Sequence, residues 1–337
     1  MATRIYPTER WLGASAVVST LIPPFIPALI LSLLVLGCGD SEVDPAEGPA
    51  EVDESALDVP RTADPTARGL TTDDFPRVQE VASGVFTYEA LRSAGEELFT
   101  TVSMFVVTES GVLVADGQGN VEETERMIAA IALETDQPVT HVVVSSDHGD
   151  HTGGNSAFPE GVEFIAHPTS AALLRTPPAR IVEDRETLQV GGRSIELLFL
   201  GRAHTGGDLL VHLPEEKILF MSEAYLNRVF PAMRSAYPSE WIEVLDRALA
   251  MELDLYIPGH GFVEAAAVLH EELETYRAAV QAVVQEATRL HAAGVPVDQA
   301  AEQAAFGDLE TWSLRSSQGA TAIRRVYAEL NGELPGG

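Results

Sequence analysis

The run Val142-Val143-Val144-Ser145-Ser146-Asp147-His148-Gly149-Asp150-His151-Thr152-Gly153-Gly154 decides how the rest of the chain is read. Its β-branched apolar start, with Thr140 and His141 before it, has the composition of a buried strand. The strand runs into two imidazoles and a carboxylate within four residues, and a Gly-Gly turn follows. Histidine and aspartate together are the donor set of a hydrolytic zinc-type site, where one coordination position stays open for water. A functional metal centre explains this loop better than a polar surface turn.

Three further places repeat the pattern of a donor at the end of a strand. Residues 195–200 lead into Gly201-Arg202-Ala203-His204-Thr205-Gly206-Gly207-Asp208, and residues 217–221 into Ser222-Glu223. Residues 253–257 lead into Pro258-Gly259-His260-Gly261. A scaffold gathers ligands distant in sequence in this way. A lone histidine is weak evidence for a ligand, but the ordered series is specific. His141, His212, His270 and His291 read as structural or surface residues, and His167 as a neighbour of the site.

These motifs resemble the metallo-β-lactamase-fold hydrolase superfamily over roughly residues 78–265. The resemblance implies an αββα sandwich with a one- or two-metal site at a sheet edge. The family's loop motif, His-x-His-x-Asp-His, falls on His148, Asp150 and His151, with later ligands at His204 and His260. Glu223 corresponds to the strand-end aspartate that bridges two metals, and Asp116 to a structural aspartate behind the ligands. Two departures stand out: Ser146 occupies the place of the first histidine, and Glu223 is one methylene longer than the usual bridge. The resemblance then implies a complete position built from Asp150, His151 and His260, and a depleted one built from His148 and His204. Asp147 is a poor substitute for the missing histidine, because adjacent side chains of an extended segment face opposite ways.

Short strands at 85–88, 102–107, 112–115, 142–145, 162–166, 195–200, 209–213 and 217–221 alternate with helical spacing at 121–133 and 241–250. Runs of neighbouring strands between helices predict an α+β, helix-covered mixed sheet sandwich rather than a doubly wound parallel sheet. Residues 266–337 read as a C-terminal helical extension packed on the metallo-β-lactamase-like domain at 76–265.

The chain begins differently. Arg4 and Arg10 precede a nearly uncharged apolar stretch that ends in Val35-Leu36-Gly37-Cys38, and Cys38 is the only cysteine of the 337 residues. Residues 1–37 resemble a bacterial lipoprotein export signal, with Cys38 as the lipidated first residue of the mature chain. An uncleaved anchor is the alternative, although Pro23, Pro24 and Pro27 interrupt the apolar run. Either reading puts the body outside the cytoplasm, facing the periplasm or cell exterior. No internal disulfide can form. Residues 38–75 read as an acidic flexible tether, since residues 40–75 hold eleven Asp or Glu against two Arg. The net charge of −30 argues against a nucleic-acid partner. The oligomeric state is left open.

The expected activity is a metal-dependent hydrolase, with one or two zinc ions or another divalent metal. A metal-bound hydroxide would attack an ester, lactone, thioester or amide carbonyl of a small-molecule substrate. Asp150 would orient the nucleophile and relay its proton. The alternative is a catalytically weakened metal-binding or scaffold protein on the same fold, and a redox-metal site ranks last. Arg228 and Arg234, which follow Glu223, are candidates to clamp a substrate carboxylate, with surface arginines as the plainer reading.

Overall fold

The computed structural model describes residues 3–5 and 58–335. Most of the expected export signal, and Cys38, lie outside these residues. Thr3–Ile5 (β1) pairs antiparallel with Arg77–Ala82 (β2).

The strands form one continuous hydrogen-bonded system, and its pivot is β4 (Glu97–Thr108). One edge of β4 pairs along its length with β3 (Val85–Ala94). Its other edge pairs with β5 (Gly111–Ala115) from Met104 onward, and meets β13 (Leu255–His260) at Thr101 and His260. Beyond β5 lie β6 (Val139–Val144), β7 (Glu163–Ala166) and β8 (Arg180–Ile181), all parallel. Beyond β13 lies the parallel β12 (Ile218–Leu226). The antiparallel β11 (Leu210–Leu213), β10 (Arg193–Leu198) and β9 (Arg185–Val190) complete that side.

Strand alternation makes two layers from this sheet. Met104, Leu113, Ala115 and Val143 join Leu197, Val211 and Phe220 in one core. Their neighbours Phe105, Val112, Val114 and Val142 turn the other way, onto Met127 and Ile131 of α1 (Val121–Glu134). The Asn120 side chain caps that helix by accepting from the Glu123 amide. The second half-sheet is covered by α4 (Pro238–Leu249) and α5 (Ala266–Ala292), which bury Trp241, Leu245, Leu273 and Tyr276. Helix, sheet, sheet and helix stack as the sequence predicts.

One expectation changes. The acidic tether does not extend to residue 75: residues 58–75 pack on the body, with Ala63 and Phe75 buried. Arg68 lies 4.0 Å from the Phe262 ring and pairs with Glu264, while Arg61 pairs with Glu271 and the buried Glu272. Composition hid this, because the few arginines of an acidic segment anchor it to acids elsewhere. The C-terminal extension packs on the domain as expected and shares its core. Leu269, Leu273 and Tyr276, together with Ile323 and Val326 of α7 (Arg315–Leu330), belong to the same apolar cluster as Phe220 and Ile257.

A chain beginning at residue 58 is expected to keep the full thermal midpoint. One beginning at residue 76 is expected to lose at least about 5 °C, since each kcal/mol shifts a domain of this size by a few degrees. Scanning calorimetry of the two truncations reads the difference.

Candidate metal centre

The first donors come from a single helical turn. Between β6 and β7 the chain forms α2 (Gly149–Thr152), held by the Gly153 amide on the Gly149 carbonyl and by Thr152 Oγ1 on the His148 carbonyl at 2.9 Å. One turn winds His148, Asp150 and His151 around a common axis, so three donors come from four residues. Gly153 is required by packing, because a Cβ there would lie 2.3 Å from the Gly119 carbonyl oxygen.

The remaining donors arrive from the second half-sheet. His204 follows β10, and His260 ends β13. Glu223 lies inside β12, not at its end as expected, because the β12–β13 register shifts on both sides of Ser222. Ser222 has a φ of 46°, in the left-handed region that costs energy for a serine. Gly259 lets β13 lie directly against this kink, since a Cβ there would sit 2.4 Å from the Ser222 carbonyl carbon.

The donors fall into two groups that share Glu223: Asp150, His151, Glu223 and His260 in one, and His148, His204 and Glu223 in the other. All six expected ligands therefore converge. Asp147 does not join them, because its carboxylate accepts from Ser170 Oγ at 3.1 Å. Ser146 donates its hydroxyl to Glu223 and so holds the carboxylate from the place of the absent histidine. Asp116 stands behind the ligands, with Oδ2 3.0 Å from His151 Nδ1, and His260 Nδ1 lies 2.7 Å from the Thr100 carbonyl. Such contacts fix which ring nitrogen faces the metal.

The spacing differs between the groups. Zinc bonds of about 2.0–2.1 Å imply donor–donor edges of about 3.3–3.4 Å in a tetrahedron. His151 Nε2 and His260 Nε2 are 3.4 Å apart, His260 Nε2 is 3.3 Å from Asp150 Oδ2, and it is 3.4 Å from Glu223 Oε1. This group fits a divalent ion. In the other group, His148 Nδ1 lies 2.9 Å from Glu223 Oε2, and His204 Nε2 lies 3.1 Å from Glu223 Oε1 and 3.0 Å from His148 Nδ1. Those are hydrogen-bond lengths.

Charge balances inside the cluster. Burial and the Glu223 charge oppose ionisation of Asp150, but the His260 hydrogen bond and His151 outweigh them and hold its carboxyl below the ordinary range. Burial likewise opposes Glu223, and the imidazoles of His204 and His148 hold it well below its usual value. Burial alone would lower His148 and His260. The Glu223 carboxylate raises His148 to about 9, and hydrogen bonds to Asp150 and Glu223 raise His260 to about 10. In His204, burial wins over Glu223 and lowers the pKa.

All of these donors except the fully buried His151 floor a cavity of about 310 Å³ whose walls include Phe99, Leu226, Val229 and Arg234. Leu314 and three further residues of the C-terminal extension also line it. Sequence reading missed these, because no motif marks a helix that acts only by position. Of the two candidate clamps, Arg228 is committed to Glu272 and lies over the Trp312 ring, so it is structural. A larger cavity of about 810 Å³, beside Asp64, Glu97 and Glu310, gathers no imidazole.

Two outcomes are expected. After dialysis, the wild type should hold one tight metal equivalent by mass spectrometry. Asp150→Ala should lose it, His204→Ala should keep it, and Ser146→His should gain a second. Second, metal must displace a proton from His260, whose raised pKa keeps it protonated through neutrality. Apparent zinc affinity should therefore rise with pH between 6 and 9, with at least one proton released, as calorimetry in buffers of different ionisation heat would read.

Comparison with known proteins supports the fold. Residues 97–260 match the family model described as the metallo-beta-lactamase superfamily. The α subunit of a 2,4-dinitroanisole O-demethylase from Nocardioides sp. is 26% identical over 180 residues, covering 50% of this chain and 54% of that one. The chain thus spans about half the length of that relative. A type 2 metallo-beta-lactamase from Bacillus cereus is 23% identical over 201 residues, 57% of this chain and 75% of its own. Among solved structures, a sec-alkylsulfatase from Pseudomonas sp. superposes with a TM-score of 0.60 at 15% identity, covering 75% of this chain and 50% of that one. A metallo-beta-lactamase from Pontibacter korlensis gives 0.54 at 23% identity, covering 58% and 98%. The matched residues begin in β4 and end on His260, and over this stretch the chain has the metallo-β-lactamase fold.

Proposed function

We propose that the protein is a metal-dependent hydrolase of small esters, lactones, thioesters or amides. The observation that carries this reading is the group Asp150, His151, Glu223 and His260, with His260 at tetrahedral donor spacing from the other three, beneath a cavity that Asp150, Glu223 and His260 line. A bound divalent ion, zinc in the first instance, would supply an acidified water and polarise a carbonyl. His151 and His260 would hold the ion, their orientation set by Asp116 and the Thr100 carbonyl. Asp150 borders the cavity with its carboxyl held ionised, so it can orient a water and take up its proton. Glu223, tethered by Ser146, would keep its charge under the substrate. The names of the matched proteins span a β-lactamase, an O-demethylase subunit and an alkylsulfatase, and they favour hydrolysis as a class without choosing the leaving group.

A second reading, a metal-binding protein without turnover, draws on the Ser146–Glu223 hydrogen bond and the close packing of His148 and His204. We also propose export and lipid anchoring at Cys38. Cys38→Ala should then leave the protein in the soluble fraction or unprocessed, whereas unchanged size and membrane association would overturn the anchor.

Hydrolysis of p-nitrophenyl esters and small lactones should vanish after chelation and return with zinc. Asp150→Asn should lower kcat/KM by at least about a hundredfold, the usual contribution of a positioned acid–base group. Metal binding with no turnover on either panel would favour the second reading, and turnover that survives chelation would refute the first.

A further inference from the structure

Each polar group around the metal-centre cavity is either committed to a neighbour or free. Ser317 is committed, since its hydroxyl donates to the Leu314 carbonyl at 3.1 Å. Arg234, Gln318 and Thr321 also line the cavity, and their side chains make no hydrogen bond or ion pair among the described residues. Arg234 acts on Asp147 through charge alone, and the Asp147 carboxylate is bound by Ser170. In a chain of net charge −30, Arg61, Arg68, Arg77, Arg193, Arg202 and Arg228 all pair with acids, whereas Arg234, an exposed residue, leaves its guanidinium free at the cavity wall.

The frame that carries these groups is rigid. Arg325 of α7 donates to the Ser235 and Ala236 carbonyls, next to Arg234. The Phe230 amide bonds the Ser313 carbonyl at 2.9 Å, and Glu97 receives the Leu314 amide and the Ser316 hydroxyl. The opposing surfaces differ in character: Phe99, Leu226 and Val229 are apolar, and the floor holds the carboxylates of Asp150 and Glu223.

We propose that Arg234, Gln318 and Thr321 recognise a carboxylate on an otherwise apolar substrate, so that helix α7 sets specificity from outside residues 97–260. This rests on the hydrolase reading of the site. Arg234 attracts the substrate's carboxylate, so the charged end is held at the α7 wall. The neutral scissile bond is left over the ligands. A guanidinium with an amide and a hydroxyl beside it suits the planar, multiply accepting carboxylate.

Two measurements separate this proposal from the reading beneath it. The first compares kcat/KM for p-nitrophenyl butyrate with that for the p-nitrophenyl monoester of glutaric acid, which carries a distal carboxylate. The wild type should prefer the acid. Arg234→Ala should cut the preference about tenfold or more, chiefly through KM, and Gln318→Ala should cut it less. The second uses calorimetry to compare 4-phenylbutyrate with its neutral amide, on the protein as purified, and needs no turnover. Carboxylate preference should weaken about tenfold in Arg234→Ala. Gln318→Ala should add to it non-additively in the double variant, as partners on one ligand do. No hydrolysis of either ester, with carboxylate binding lost in Arg234→Ala, would remove the hydrolase reading and keep the recognition wall. Equal binding of acid and amide, or a preference unchanged by both substitutions, would overturn the proposal.

Discussion

The metal centre depends on one buried carboxylate that is not itself a ligand. Asp116, at the end of β5, is 1% exposed and adopts a φ of 62°. It accepts the backbone amides of Ser145 and Ser146 and the hydroxyl of Ser222, and it lies beside His151. Those partners belong to the end of β6, the kink of β12 and the ligand helix, so one side chain ties together three segments that supply donors. A buried carboxylate is costly unless its hydrogen bonds are made, and each donor left orphaned there would cost about 1–3 kcal/mol. Two strained backbones, at Asp116 and Ser222, face each other across that contact. The strain is held where the ligands need an unusual approach of strands.

The candidate ligands stand out in the sequence because each lies near a strand with a clear apolar pattern. Residues 142–144, 195–200 and 253–257 announce His148, His204 and His260 by composition alone. Glu223 was found for the same reason but misplaced, since β12 continues past it and a register shift leaves no mark in composition. The full length of the β3–β4 hairpin was equally obscure. Thr100 and Thr101 fall outside the expected strand at 102–107, although both are buried within β4. Ser146 was recognised as a departure, but its hydrogen bond to Glu223 depends on a partner 77 positions away.

What sequence could not give is position without motif. Residues 58–75 look like solvated chain until their two arginines meet Glu264, Glu271 and Glu272. Gln318 and Thr321 carry no signature, and only the packing of α7 on the segment after β12 brings them to the cavity. Both cases are long-range ion pairing or helix docking. Local patterning is silent about such contacts.

The grip of Arg325 on the Ser235 and Ala236 carbonyls has a consequence for biogenesis. All six donors have been made once His260 leaves the ribosome, whereas the wall at residues 314–321 follows about fifty residues later. Domains fold as the chain emerges. The donors are thus complete in sequence before the wall is, and because α7 shares the core of the second half-sheet, the cavity gains its last wall only when the C-terminal helices dock.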